Sequence, residues 1–421
     1  MKKTKLRLFN TLSKQIETFH PANKEAVNIF TCGPSVYQRS HIGNFRTFLF
    51  EDTLVRYLEY SGYKVRRGMN LTDIEDKAIE EAERKKKSVK RLTEENIKRF
   101  IEEMGLLHIK IPDYLLRASE CVSEAVSIIE HLLNRGIAYW FKGNVYFDPL
   151  KFPEFGKLYG LDMSRWPIKK KRFHKDTYPG MQWNLGDFIL WHGYGKGDRV
   201  FWDTKIGKGR PSWNIQDPGI ISKCFHETLS IYCGGIDNLF RHHDYTLAIL
   251  ESVRPYPMAR FWLHCHNLYV NGQKMSKSKG NIYYTDTLIK QGYRYSDIRF
   301  FLIYGHYRDR LNYSDRAISA AADKLRGLKN SLREIEKRAN QEPDLTGKIV
   351  GNLKKTFTGK MDNDLDVRGA FNGLYDILTR VKVGELRPAE ASGIIETMKQ
   401  IDKCFEVLFT SNNADIVHKF I

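Results

Sequence analysis

A doubly wound parallel α/β sheet, split by an insertion and followed by a helical bundle, is the fold class that this sequence predicts. Three observations predict it. Residues 25–71 carry a strand–helix–strand pattern, the text between Phe147 and about Trp202 is rich in Gly, Pro, Trp and Lys with little helical periodicity, and from Ala317 onward the pattern is almost wholly helical.

Each element has its own cause. Residues 25–31 read as a short buried strand that ends at the breaker Cys32-Gly33-Pro34. From Gly43 to Tyr60, Phe45, Leu49, Leu54, Tyr57 and Leu58 recur at helical spacing, and Ser61-Gly62 supplies the stop. Residues 64–71 form a second strand, closing a β–α–β unit that should be parallel and right-handed. Residues 73–107 are charged with periodic apolar positions, one or two exposed helices, and residues 84–91 within them are the densest basic cluster. Residues 139–147 alternate aromatics around a Lys-Gly turn, a hairpin. Strand-like pieces resume at 230–232 and 267–270, and a boundary near residues 312–315 opens the helical tail. The division expected is 1–115 and 206–285 for the halves of a nucleotide-binding sheet, 116–205 for the insertion, 286–325 for a connecting segment and 326–421 for the bundle.

A length of 421 residues suits about three domains at roughly 150 residues each. Six cysteines without paired spacing exclude a secreted disulfide scaffold and point to a reducing cytoplasm. No apolar run approaches the roughly 18 residues of a membrane span, and no long apolar segment follows the basic start, so neither a membrane nor a signal peptide is expected. The formal charge of +18 favours a polyanionic partner, against the plainer reading that lysines merely solvate the surface.

Two short motifs carry chemistry. His41-Ile42-Gly43-Asn44 lies just after the first strand and opens the first helix, where unpaired N–H groups and the helix dipole suit phosphates. Gly43 would let the backbone approach a purine, while His41 and Asn44 could hydrogen-bond phosphate oxygens as charge grows on them. The second motif is Lys274-Met275-Ser276-Lys277-Ser278, followed by Lys279-Gly280-Asn281. Two lysines three apart in such a loop could neutralise a departing pyrophosphate. Either motif alone would read as a structural helix start or a solvated loop; both together, in this order, resemble the signature of class I aminoacyl-tRNA synthetases.

The likeness is closer than class level. Residues 30–37 (Phe-Thr-Cys-Gly-Pro-Ser-Val-Tyr), 70–77 (Asn-Leu-Thr-Asp-Ile-Glu-Asp-Lys), 187–191, 209–213, Gly234-Gly235-Ile236-Asp237 with His242-His243, 305–308, 311–314 and 361–365 all resemble the cysteinyl-tRNA synthetase family, in register from about residue 5 to 410. That resemblance implies a Rossmann-like sheet, ATP and Mg²⁺, an aminoacyl-adenylate, and tRNA or a tRNA-like RNA as acceptor, on a monomer. It implies His41, Asn44, Lys274 and Lys277 as catalytic residues, and Gly43, Gly235, Asp237, Met275 and Ser276 in ATP binding. The amino-acid pocket would comprise Cys32, Gly33, Thr72, Trp213, Asp217 and His242.

Two departures bear on the outcome. The family binds a zinc ion that selects the cysteine thiolate; Cys32 and His242 stand at two ligand positions, but Asp217 and Thr246 stand at the other two. Threonine is a poor zinc ligand and carboxylate weakens a soft site, so zinc and cysteine selection are expected to be lost, the alternative being a site rebuilt with Cys233. The chain also stops at Ile421, soon after the bundle, where the family continues into an anticodon-reading domain, so weak anticodon reading is expected. Mycothiol ligases share that shortening, which leaves transfer to a small amine, and a silent RNA-binding paralogue, as the other readings.

Overall fold

The computed structural model describes residues 5–162, 187–275 and 279–410. A hairpin, β1 (Arg7–Asn10) and β2 (Gln15–Thr18), leads into the buried strand β3 (Val27–Thr31). Helix α1 (Ile42–Tyr60) carries the chain back to β4 (Val65–Leu71), which pairs parallel with β3. Past the Ser61 cap, Gly62 takes φ +87°, a turn that a side chain would resist. The charged stretch is two helices, α2 (Asp76–Arg84) and α3 (Val89–Leu106), after which β5 (Tyr114–Arg117) extends the sheet parallel to β4. Helix α4 (Val122–Asn134) follows.

The insertion is a sheet of its own, made of β6 (Ala138–Phe141), β7 (Asn144–Phe147), β8 (Phe188–Gly193), β9 (Trp202–Thr204) and β10 (Gly207–Pro211), with antiparallel neighbours in the order β6-β7-β8-β10-β9. Then come α5 (Trp213–Cys224), β11 (Leu229–Gly235), α6 (Tyr245–Val253) and β12 (Ala259–Cys265). The central sheet is wholly parallel, in the order β12-β11-β3-β4-β5. Three short strands, β13 (Leu268–Val270), β14 (Gln273–Lys274) and β15 (Leu311–Tyr313), enclose α7 (Thr285–Lys290) and α8 (Tyr295–Ile303). Helices α9 (Asp315–Glu336), α10 (Lys348–Met361), α11 (Val367–Thr379) and α12 (Pro388–Phe405) form the bundle. Among the described residues no helix is long and apolar enough to cross a membrane.

Three of the expected boundaries fall within a strand, a hairpin or a helix. β5 straddles 115/116, β10 runs on to Pro211 beyond 205, and α9 straddles 325/326. Composition placed those boundaries; in the structure Pro211 lies opposite Trp191, and Leu116 opposite Asn70.

Alternation along the strands covers both faces of the central sheet. Ile29, Ile231 and Leu263 join the core under α1, α8 and the bundle, while Phe30, Tyr232 and Trp262 join the core under α4, α5, α6 and the inserted sheet. The chain winds outward from β3 through β4 to β5, then returns to β11 on the other side. The reversal between β3 and β11 opens a crevice at their carboxyl ends, the place where such sheets bind ligands.

Candidate active site

A cleft of about 320 Å³ occupies that crevice. Its walls come from the residues just after β3 (Cys32, Gly33), the start of α1 (His41, Gly43, Asn44), the end of β11 and the turn after it (Gly235, Asp237), Trp213 of α5, Lys274 at the end of β14 and Met275 just after it. Gly33 is required sterically: its N–H donates to Asn70 Oδ1 at 2.6 Å, and a Cβ would sit 2.0 Å from the Asn70 carbonyl oxygen.

At one end, His41 and Asn44 cap α1 reciprocally. The His41 N–H donates to Asn44 Oδ1 at 3.0 Å, and the Asn44 N–H donates to His41 Nδ1 at 3.3 Å. Because Nδ1 accepts, the neutral ring carries its proton on Nε2, a donor. Gly43 serves this ring: a Cβ there would lie 2.9 Å from His41 Nδ1 and Cε1. That contact within the chain is a demand for glycine separate from the purine approach expected from sequence. Opposite, Lys274 Nζ lies 3.6 Å from Asp237 Oδ2, both half exposed. A phosphate group entering between them would exchange that pair. Ser276 and Lys277 lie outside the described residues.

At the other end, the Trp213 ring stacks on His242, with centroids 4.1 Å apart and planes at 7°. His242 Nε2 lies 3.0 Å from Asp217 Oδ2, which also accepts from the Tyr232 hydroxyl at 3.0 Å. Thr246 spends its hydroxyl on the His242 carbonyl at 2.8 Å. Thr72 pairs through its backbone with Ser35, takes a hydrogen bond from Asn70 Nδ2 at 3.1 Å, and does not itself line the cleft.

His242 and His243 sit on a π-helical turn, Leu239–Asp244. The donor atoms of Cys32, His242 and His243 all lie within 4.8 Å of one another, and all three residues are buried. His243 Nδ1 is 2.9 Å from His264 Nε2, and His264 Nδ1 is 2.9 Å from Thr11 Oγ1, so a relay of rings fixes its orientation. His242 Nδ1 and His243 Nε2 have no partner among the described residues. Burial holds His243 well below the usual imidazole range and His264 down at about 3, so both rings are neutral, the ligand form. Burial, then the charges of Asp217, Glu51 and Asp237, push the Cys32 thiol up. Cys233 is not part of this group: its side chain joins Ile231 and Cys265 in the opposite core, because strand alternation turns it away from Tyr232.

The sequence reading missed Glu75. It lines the cleft, is 4% exposed, and its Oε1 lacks a partner. Burial pushes its carboxyl up to about 7, against the opposing pull of Lys77 and Ser35. Its only sequence signal was membership of the 70–77 stretch, where an acid in a charged run reads as solvated.

Comparison with known proteins decides the family. The family model described as tRNA synthetases class I (C) catalytic domain matches residues 18–323. The chain belongs to the class I cysteinyl-tRNA synthetase family. Cysteine–tRNA ligase of Chlamydia muridarum is 34% identical, over 98% of this chain and 89% of that protein. That of Koribacter versatilis is 36% identical, over 98% and 84% respectively. Among solved structures, methionyl-tRNA synthetase of Mycobacterium tuberculosis in complex with methionyl-adenylate shares the fold, with a TM-score of 0.64 at 14% identity and 93% of each chain covered. The Agrobacterium radiobacter K84 agnB2 LeuRS–tRNA–LeuAMS complex does so with a TM-score of 0.67 at 11% identity, over 93% of this chain and 85% of that one. This cysteinyl-tRNA synthetase family member is therefore a ligase.

Proposed function

We propose that this chain joins an amino acid to ATP as the aminoacyl-adenylate and passes it to a tRNA, with cysteine as the amino acid. The observation that supports this best is the opposition of the His41–Asn44 cap and the Lys274 hairpin across one cleft at the sheet's reversal point. A carboxylate oxygen of the amino acid attacks the α-phosphorus of Mg²⁺-ATP; that P–O bond forms, the bond to the bridging oxygen breaks, and pyrophosphate leaves with the electron pair. His41 Nε2–H, Asn44 and the α1 N-terminus would meet the growing charge from one side and Lys274 from the other, with Lys277 the second lysine that the sequence motif implies. Gly235 leaves room for Asp237, since a Cβ would sit 2.8 Å from its Oδ1, and Asp237 with Met275 and Ser276 would hold the nucleoside. Pyrophosphate exchange across a panel of amino acids tests the reading: cysteine-dependent exchange supports it, and exchange with no amino acid ends it.

Cys32, His242 and His243 would hold a zinc ion, with Asp217 orienting His242 and His264 orienting His243. The family positions at Asp217 and Thr246 would not ligate, their side chains being engaged with His242 and Tyr232. Bound zinc supplies a Lewis-acid position for a substrate thiolate. The donor set fits the ion on its unsatisfied buried nitrogens, a state that buried polar groups rarely keep. Elemental analysis should find about one zinc per chain, against the loss expected from sequence, and His243→Ala should bring it well below that. Cobalt substitution should show a thiolate charge-transfer band that Cys32→Ser removes. A metal-free protein with no such band would mean that selection does not run through a metal.

Glu75 would receive the α-ammonium of the amino acid. Lys77, Ser35 and His242 already pull its carboxyl toward the charged form without offsetting burial, and the substrate cation would add to that pull. Above pH 7 the carboxylate is charged and attracts the ammonium; below it the group protonates and binding weakens. Amino-acid KM should therefore rise as pH falls through about 7. Glu75→Gln should raise KM by about tenfold and flatten that profile. A wild-type KM indifferent to pH between 6 and 8, to within about the twofold scatter expected of a group not titrating there, would remove Glu75 from this role.

A further inference from the structure

We propose that Arg39, two residues before the α1 cap, is a positioning residue for adenylate formation, its guanidinium locking the Lys274 hairpin to the start of α1. This role deepens the activation reading above and rests on it. Arg39 lines the cleft, yet its donors go to two other elements of the chain. Its Nε donates to Glu103 Oε1 of α3 at 3.0 Å, and Nη2 donates to the same oxygen. Nη1 donates to Asp286 Oδ2 of α7 at 2.7 Å. Nη2 also reaches Thr285 Oγ1 at 3.3 Å, and the Thr285 hydroxyl donates in turn to Glu103 Oε1 at 2.7 Å. The guanidinium lies over the Tyr284 ring, 4.8 Å from its centre. Residues 284–286 thus grip one side chain in succession.

Those residues end the return limb of the Lys274 hairpin. Earlier in that limb the Asn281 amide donates to the Lys274 carbonyl at 3.3 Å, and the Tyr283 carbonyl accepts the Ile42 N–H at 3.0 Å. On the outgoing limb Met275 approaches the same helix start, since a Cβ on Gly43 would lie 3.8 Å from its Sδ. Residues 39–43 are therefore held by both limbs of the hairpin that presents Lys274, and His41 stands between the contacts. The spacing of His41 from Lys274, across which phosphates would sit, is set at this joint. Rates fall steeply when such groups are misplaced by about 1 Å.

Glu103 stiffens the joint. It is 4% exposed, its Oε1 accepts from Arg39 Nε, Arg39 Nη2 and Thr285, and its Oε2 has no partner among the described residues. A carboxylate so buried depends on its cation. An ammonium in place of the guanidinium would keep the charge but lack the planar fork that faces both carboxylates. Arg99 supplies a contrast. It reaches the same Asp286 oxygen at 3.4 Å from an exposed position on α3, a pair that ties α3 to α7 and leaves residues 39–43 out.

Pyrophosphate exchange with cysteine, with kcat and KM resolved, tests the role. Arg39→Ala should lower kcat by about tenfold or more. Its amino-acid KM should stay within about twofold, because the Trp213–His242 end of the cleft is built from other elements. Arg39→Lys should melt near the wild-type temperature yet keep most of the kcat loss, which separates a lost joint from lost folding. Asp286→Ala should also lower kcat, and adding it to Arg39→Ala should cost little more, since the two side chains act as one unit. Arg99→Ala should leave exchange within about twofold. Hydrogen exchange of the Ile42 amide reads the joint without catalysis, and Arg39→Ala should speed it by about tenfold or more. Wild-type kcat in Arg39→Ala or Arg39→Lys would make Arg39 a structural tie and overturn the proposal. So would losses that simply multiply in the double variant, or an Ile42 amide unchanged by Arg39→Ala. If the wild-type protein supports no exchange with any amino acid while Arg39→Ala still frees the Ile42 amide, the activation reading falls and takes the positioning role with it, and the joint stands as architecture.

Discussion

Alanine at His41 should lower pyrophosphate exchange by about 10²- to 10³-fold while ATP binding falls far less. The residue has two jobs that the structure makes separable. Its Nδ1 takes the Asn44 N–H and so caps α1, while its Nε2–H would be the atom that donates to phosphate oxygen. Losing an N-cap costs only about 1 kcal/mol, a small part of the roughly 5–15 kcal/mol that keeps a domain folded. His41→Asn separates the two roles, because asparagine caps a helix well but cannot place a donor where imidazole Nε2 stands. The asparagine variant should therefore melt near the wild-type temperature and still show most of the loss in exchange. Asparagine that restored exchange would reduce His41 to a helix cap.

What was legible in the sequence was local. The breaker Cys32-Gly33-Pro34, the helix start at His41 and the stop at Ser61-Gly62 are turn and cap chemistry, set by neighbours in the chain, and β3, α1 and β4 follow from them. The third donor beside Cys32 and His242 was not legible. Consecutive residues on an α-helix point well apart, so His243 had no claim on the site until a π-helical turn, with more residues per turn, brought neighbouring side chains closer in direction. Room for it depends on Gly234, where a Cβ would lie 2.7 Å from His243 Cε1 and 3.0 Å from the Cys32 Cβ. Cys233 could have been rejected from sequence, since strand alternation sends it opposite to Tyr232. A cavity lined by Arg46, Arg308, Arg310 and Arg368 was out of reach for a different reason: α1, the 305–311 loop and α11 meet only in the folded chain. The run at 84–91 showed the converse fault, for its neutralising acids stand three, four or eight residues away and were there to be counted.

Asp52→Ala should be the most destabilising substitution in the sheet–bundle junction, costing about 3–5 kcal/mol. Asp52 of α1 is fully buried, accepts from Arg299 Nη2 at 2.6 Å and Arg56 Nε at 2.8 Å, and takes the Lys110 N–H on its other oxygen at 2.9 Å. Arg299 is buried too and spends its remaining donors on the carbonyls of Leu107, His108 and Phe405, which ties α8 to the end of α3 and to α12. Removing the carboxylate strands a guanidinium that cannot shed its charge, since burial lowers its pKa from a start far above neutrality. A paired Asp52→Leu/Arg299→Met change should not rescue stability, because it would take from the Leu107 and Phe405 carbonyls the side-chain donor they have, while His108 keeps Arg56 Nη2 at 2.7 Å. Acid should reveal the same pair. Burial alone would raise the Asp52 carboxyl, but Arg299 and then Arg56 hold it at about 2 against an ordinary 3.8. Its contribution is therefore complete above about pH 4 and is lost as the pH falls through about 2. Urea denaturation at pH 7 should show the full gap between wild type and Asp52→Ala, and the gap should close as the pH is lowered toward 2. A loss below about 1 kcal/mol at pH 7, within the range of an exposed pair, would mean that the junction does not depend on this charge.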